Sequence, residues 1–419
     1  MSRNFLTVGK YLKLLSGFPF SSKYFSSEEG FPLIRIRDIQ DSKIETYYTG
    51  PYFESYVIKN GDILIGMDGD FHVRKWQNSD GLLNQRILKV EVTQPDIISL
   101  RYIYYWLLPY IKKINDVTAA TTVKHLSVKD LQKASGLLPD VKKQEKAAEI
   151  LETIDQTIEK TKALIQKHQQ IKQGLMHDLF TRGVTSDGKL RPARDQAPEL
   201  YKETPIGWIP KKWGCKALET LLSSAPNNMR SGPFGSSLLK SELVEDGIPF
   251  LGIDNIHIEK FIPIFHRFVS LNKFKQLSKY AIRKDDVIIT IMGTVGRCAV
   301  VPQYLDLALS SKHLWTMTFD KSIVIPELVC WQLNHAGWVK AWFRKQTQGG
   351  IMDAIQSKTL KTLKLPLPPY NEQVAIYERY KNITQKIQTE QEHFFKLTKQ
   401  KSGLMQDLLT GKVRVKVGE

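Results

Sequence analysis

Four short strings in this chain carry groups that can read a nucleic acid. Phe71-His72-Val73-Arg74-Lys75-Trp76 interleaves aromatic and basic side chains and follows the loop Gly66-Met67-Asp68-Gly69-Asp70. Asn84-Gln85-Arg86 offers the amide and guanidinium forks that pair with adenine and guanine edges. Further along, Thr294-Val295-Gly296-Arg297 and Ser310-Ser311-Lys312-His313 occupy the corresponding places. Arg35 and Arg37, with Asp254 and Asn255 at the matching turn of the second half, complete the candidate DNA-binding set. Lys59, Lys124, Lys240 and Lys345 would serve phosphates. Each of these residues alone could be a solvated surface group. Their duplicated placement in a basic chain is what lifts them together.

No catalytic constellation accompanies these strings. Gly183 to Leu190 has the spacing of a phosphate-binding loop, but Leu190 stands where magnesium needs a Ser or Thr, and the string follows a helix. Pro368-Pro369-Tyr370 is like the tetrapeptide of amino-methyltransferases, yet Leu367 stands where Asp, Asn or Ser would hold the target amine. Asp187-Gly188-Lys189 has the tail of a nuclease motif, while its nearest upstream Pro-Asp, Pro139-Asp140, belongs to a helix start. The nine histidines show no paired ligand spacing. The chain therefore reads as non-catalytic, with no metal site and no cofactor of its own.

Composition agrees. A net charge of +17 favours a polyanionic partner, nucleic acid first and an anionic membrane second. With 42% apolar residues the 419-residue chain can bury real cores, and two to four domains are expected. No apolar run is long enough to span a bilayer, and Met1-Ser2-Arg3-Asn4-Phe5 does not read as a signal peptide. Cys215, Cys298 and Cys330 are odd in number and far apart, which fits a reducing cytoplasm better than a disulfide framework.

The elements that must position the reading strings occur twice. Residues 126–184 moved forward by 229 positions fall on 355–413 without a gap. Leu131, Pro139, Gln144 and Ile154 meet Leu360, Pro368, Gln373 and Ile383. Gly174-Leu175-Met176-His177-Asp178-Leu179 meets Gly403-Leu404-Met405-Gln406-Asp407-Leu408. Residues 1–138 and 213–367 read as two similar domains of short strands, among them Phe31–Ile36, Gly61–Ile65, Ile87–Val92, Ile248–Ile253, Val287–Ile291 and Leu314–Phe319. Gly30 to Ile39 parallels Gly247 to Ile256, and Ile58 to Ile63 parallels Ile282 to Val287. Segments 139–182 and 368–413 read as long helices, capped by Asp140 and Asn371, with a narrow apolar seam flawed at Thr161, His168, Lys172, Glu390 and Lys401. Neither seam can stay exposed, so the two helices are expected to pack on each other. Segment 183–212, with its prolines and charges, reads as a linker.

At this point the chain resembles the specificity (S) subunit of type I restriction-modification systems, over essentially its full length. Gly17-Phe18-Pro19-Phe20 and Gly61 to Phe71 look like a first target recognition domain. Gly174 to Thr181 looks like the end of a central conserved helix. Ala197 to Thr204, with Gly207-Trp208-Ile209-Pro210, looks like the approach to a second domain. Gly293 to Pro302 is similar to a second-domain segment, and Gln373 to Val413 to a distal conserved helix. The resemblance implies an α+β fold in which two long antiparallel coiled-coil helices hold apart two similar recognition domains related by a pseudo-twofold internal repeat. It implies that each domain reads one half of a bipartite, asymmetric site on double-stranded DNA. Helices roughly 60 Å long would set the unread spacer, about one duplex turn of 34–36 Å.

The resemblance also implies docking of two methyltransferase (M) subunits through Gly174, Leu175, Met176, Asp178 and Leu179 and through Gly403, Leu404, Met405, Asp407 and Leu408. Two motor-nuclease (R) subunits would complete the complex. S-adenosylmethionine, ATP and magnesium would then sit on those partners. Three other readings stay open: the specificity subunit of a type II enzyme that fuses cleavage and methylation, an enzyme in its own right, and a coiled-coil scaffold that binds DNA through charge alone.

Overall fold

The computed structural model describes residues 4–41, 43–118, 124–347, 355–413 and 415. The chain divides into two compact units, residues 1–164 with 390–419, and residues 165–389. Among the described residues no helix is long and apolar enough to cross a membrane.

In the first unit β-branched and leucine-rich strands build two sheets. One is antiparallel, in the order Leu12–Ser16, Ile87–Val92, Ile63–Gly66, His72–Lys75. The other runs Phe25–Ser26, Tyr47–Tyr48, Phe31–Ile34, Gly81–Leu83, Val57–Ile58, with Leu33 and Ile34 paired in parallel to Leu82 and Leu83. The helix Leu100–Val117, capped by the Ser99 hydroxyl, lays Tyr102, Ile103, Leu107 and Ile111 on the first sheet against Ile65, Val73, Leu88 and Val90. The second unit repeats the plan. Its sheets run Met229–Arg230, Leu314–Met317, Val287–Thr290, Cys298–Val300 and Leu243–Val244, Phe268–Val269, Ile248–Leu251, Leu309–Ser310. Here too one strand pair is parallel, Phe250 and Leu251 with Leu309 and Ser310.

These registers align the two domains atom by atom. Trp76 donates its amide to Asp62 O at 2.7 Å, and Val301 to Asp286 O at 2.8 Å. The Asp62 carboxylate accepts the Lys59 amide, as Asp286 accepts that of Arg283. A Cβ on Gly17 would lie 2.0 Å from Asn84 O, and one on Gly232 2.0 Å from Ser310 O, so both crossings demand glycine.

Both long helices contribute to both units: the central helix Val141–Thr181 and the distal helix Tyr370–Leu409. Asp140 caps the first through the Lys143 amide, whereas Asn371 lies inside the first turn of the second and caps nothing. In the first unit the pairing is antiparallel. Ala147 and Leu151 pack with Leu408 and Leu409, while further along Asp155 meets Lys401 at 2.6 Å. In the second unit Met176 and Phe180 pack with Ile376, and Lys172 lies over the Tyr380 ring. The seam flaws Lys172 and Lys401 are therefore each neutralised, Lys401 by Asp155 and Lys172 by Glu259. Burial would raise the Glu259 carboxyl, but His335 and Lys172 outweigh it and hold it at about 2.

Segment 183–212 is not a linker. It folds as a hairpin, Tyr201–Thr204 with Gly207–Pro210, and buries Val184, Tyr201 and Ile209 beside Trp213. Its prolines mark turns within a packed element rather than a free connection. Arg191 forks onto Glu372 of the distal helix, which fixes it further.

One buried side chain joins each helix to its domain. Gln144 donates to Ile97 O and Pro139 O, both at 2.9 Å, and accepts the Ser99 amide at 2.9 Å. Gln373 repeats this with Ile323 O and Pro368 O at 2.9 Å and the Ile325 amide at 3.1 Å. Replacing either Gln by Ala strands three buried polar groups and should cost about 2–4 kcal/mol, measured by urea unfolding of the full chain. A loss below about 0.5 kcal/mol would show that these bonds do not hold the helix to the domain.

Candidate nucleic-acid interface

In the first unit the reading surface grows from the hairpin Ile63–Gly66 and His72–Lys75. Its connecting loop is tied to a distant segment: Gly69 donates to Lys124 O at 3.0 Å, and Leu126 to Met67 O at 2.8 Å. Arg86 adopts a left-handed backbone (φ 74°), and its carbonyl accepts the Met67 amide at 3.0 Å. These bonds bring Asp68, Arg86 and His125 together. Asp68 Oδ1 accepts from His125 Nδ1 at 2.7 Å, and Asp68 Oδ2 lies 3.4 Å from Arg86 Nε. His72 Nδ1 donates to Asp70 O at 2.8 Å, which fixes its ring beside the loop.

Gln85, Arg86, Arg35, Arg37, Asp70, Arg74 and Lys75 are exposed. Several are partly committed. Arg37 sits between Asp38 and Glu45, Arg74 bonds its neighbour Val73 O, and Lys75 lies 3.5 Å from Glu152. Lys124 Nζ donates to Asn115 O at 2.9 Å, in the last turn of the helix Leu100–Val117.

In the second unit the equivalent hairpin is Val287–Thr290 with Cys298–Val300. Its loop, 291–297, is two residues longer than 67–71. The Thr290 hydroxyl bonds Thr294 O and accepts the Arg297 amide, so the loop closes on itself. Thr294 is exposed and Arg297 half-buried. Register places Lys312 where the first unit has Gln85, and His313 where it has Arg86. Burial lowers the His313 pKa, and the neighbouring Lys312 and Arg267 lower it further. Arg267 is also ion-paired with Asp254. Lys240 is exposed on a separate turn.

Six expected contacts are corrected by burial. Met67, Phe71 and Asn84 in the first unit, and Asn255, Ser310 and Ser311 in the second, lie in the interior and cannot reach a base edge with their side chains. Asn255 has a folding role instead. It accepts the Gly252 amide at 2.9 Å and donates to Ile262 O and Ile264 O at 3.0 and 2.8 Å. Asp38 does the first of these jobs in the other copy, accepting the Arg35 amide at 2.8 Å. His125 and Arg267 were missed. They arrive from segments far along the chain, and no local pattern marks them.

A family model described as the type I restriction modification DNA specificity domain matches residues 9–171 and again 235–397. The chain belongs to this family. Each match spans one strand-rich domain and most of the long helix that follows it. Among curated relatives, the type I restriction enzyme EcoBI specificity subunit of Escherichia coli is 29% identical over 90% of this chain and 78% of its own length. The MjaVIII specificity subunit of Methanocaldococcus jannaschii is 25% identical over 98% and 92%. The crystal structure of a type I restriction-modification system S subunit from M. genitalium aligns with a TM-score of 0.59 at 14% identity, over 99% of this chain and 96% of that one. That likeness is one of fold.

The repeated strings on the helices of this specificity chain divide by burial. Met176, Leu179 and Leu408 are spent inside their own units, which corrects their expected role in docking a partner. Leu175, Leu404, Met405, Asp178 and Asp407 are half-buried. Gly174 and Gly403 are exposed in mid-helix, and a Cβ on either would meet nothing within 4 Å.

Asn255→Ala separates folding from recognition. Losing three buried bonds should cost about 2–3 kcal/mol in chemical unfolding, while the DNA sequence selected by the folded protein stays the same. A changed sequence preference at unchanged stability would return Asn255 to the reading surface.

Proposed function

We propose that this chain is the DNA-recognition subunit of a type I restriction-modification enzyme, each unit reading one half of a bipartite site. The observation that carries the reading is one frame holding two different reading loops. Gln85, Arg86 and the Asp68–His125 pair stand in the first unit where Lys312, His313 and Met292 stand in the second. Like frames give like docking on a duplex, and unlike loops give unlike half-sites. Exposed Arg35, Arg74 and Lys240 add the salt-sensitive phosphate affinity. In this reading the chain carries no catalysis. Methyl transfer belongs to two M subunits with S-adenosylmethionine, and cleavage to two R subunits with ATP and magnesium. The helices common to both units set the unread spacer and carry the M subunits.

Gly174 and Gly403 support that docking role. A mid-helix glycine with open space around it costs about 1 kcal/mol against alanine and gains nothing inside the chain. Close approach of a partner explains it. Gly174→Phe or Gly403→Phe should leave the chain folded and abolish co-purification with its methyltransferase. Intact complex formation by both variants would move the docking surface elsewhere.

Recognition itself is tested by co-expressing the chain with the adjacent methyltransferase and mapping methylated adenines genome-wide. A single split motif with a fixed gap between unlike halves is expected. Binding without sequence preference would favour the charged scaffold.

A further inference from the structure

Arg86 is better prepared for one base than any other exposed group in either reading loop. Its left-handed backbone and the Met67 amide on its carbonyl fix where the side chain starts. The side chain is 56% exposed, so it is available to DNA. Asp68 meets it at Nε, 3.4 Å away. Asp68 is itself held: His125 Nδ1 occupies its other oxygen at 2.7 Å, and a β-bridge joins the backbones of Asp68 and His125. With the carboxylate nearest to Nε, the Nη groups remain available to a base. Neither Nη makes a hydrogen bond to another of the described residues.

Two N–H donors side by side match the O6 and N7 acceptors of guanine. Adenine places an N6 donor where O6 would be and repels one arm of the fork. Among the described residues the second unit has no such arrangement. His313 stands at the place of Arg86 and Met292 at the place of Asp68, and Arg267 and Lys312 lie near His313.

We propose that Arg86, oriented by Asp68, reads a guanine in the half-site of the first unit, and that no equivalent guanine fork operates in the second. Asp68 is a positioning residue in this scheme, and His125 keeps it in place. The proposal rests on the bipartite recognition described above.

The test uses the full chain in complex with its methyltransferase, and duplexes carrying the motif mapped for the wild type. Each guanine is replaced in turn by 7-deazaguanine, which lacks the N7 acceptor, or by inosine, which keeps both major-groove acceptors. At one guanine in one half-site 7-deazaguanine should weaken binding on the order of 10- to 100-fold, and inosine should not. In Arg86→Ala that difference should vanish, while base preferences in the other half-site persist and report a folded protein. Asp68→Asn should reduce the difference without abolishing it. If Arg86→Ala binds too weakly to measure, Arg86→Lys keeps the charge and replaces the planar fork by a single ammonium, and the 7-deazaguanine effect should shrink without vanishing. A 7-deazaguanine effect unchanged in these variants, or a motif in which no guanine is sensitive, overturns the assignment and leaves bipartite recognition standing. Absence of any split motif for the wild-type complex overturns the functional reading instead.

Discussion

The architecture depends on a neutral amide buried at the start of each long helix. Gln144 and Gln373 each satisfy two carbonyls and one amide that helix and domain would otherwise leave bare. A charged side chain in that place would carry a desolvation cost of several kcal/mol. An apolar one would strand the same backbone groups at about 1–3 kcal/mol each. Glutamine is long enough to reach both the turn before its own helix and the segment ahead of the domain helix. The bond set is the same in both units although Ala147 and Leu151, which follow the first Gln, are replaced by Ile376 and Tyr380 after the second. A domain fixed in this way to a helix moves with it.

Comparison of the two units separates residues that hold the frame from exposed residues that vary. Gly17 and Gly232 sit where backbones cross, Asp62 and Asp286 close the same turn, and Asp38 and Asn255 cap the same bend. Chemistry is preserved at these positions because the backbone leaves no choice. Gln85 against Lys312, Arg86 against His313 and Asp68 against Met292 differ completely on an equally firm scaffold. Equivalent position with unequal chemistry is the expected signature of sequence reading. It also explains why Asn255, a natural adenine reader by residue type, belongs to the frame. Its three bonds are all spent on backbone.

Much of this was legible in the chain itself. The gapless match of 126–184 to 355–413 implied two copies of one plan, and the helical rhythm of 141–180 and 370–409 appears as two unbroken helices, Val141–Thr181 and Tyr370–Leu409. Short β-branched strings such as Ile87–Val92 appear as strands. The site was legible only as a region. Residue type suggested Met67, Phe71, Asn84, Ser310 and Ser311, but whether such loop and strand-end side chains turn outward is decided by packing, and these turn inward. His125 reaches Asp68 across 57 positions, a contact made by folding alone. The hairpin of 201–210 was hidden because prolines and charges mark turns in packed elements as readily as in free ones.

The central claim is that two copies of one frame carry separable reading loops. The most direct measurement replaces the second recognition domain by a copy of the first, keeping both long helices, and maps methylated adenines with the same methyltransferase. The account predicts that both halves of the motif become the half-site of the first domain, while the other half disappears. Retention of the original asymmetric motif would contradict it, because recognition would then not reside in the exchanged loops.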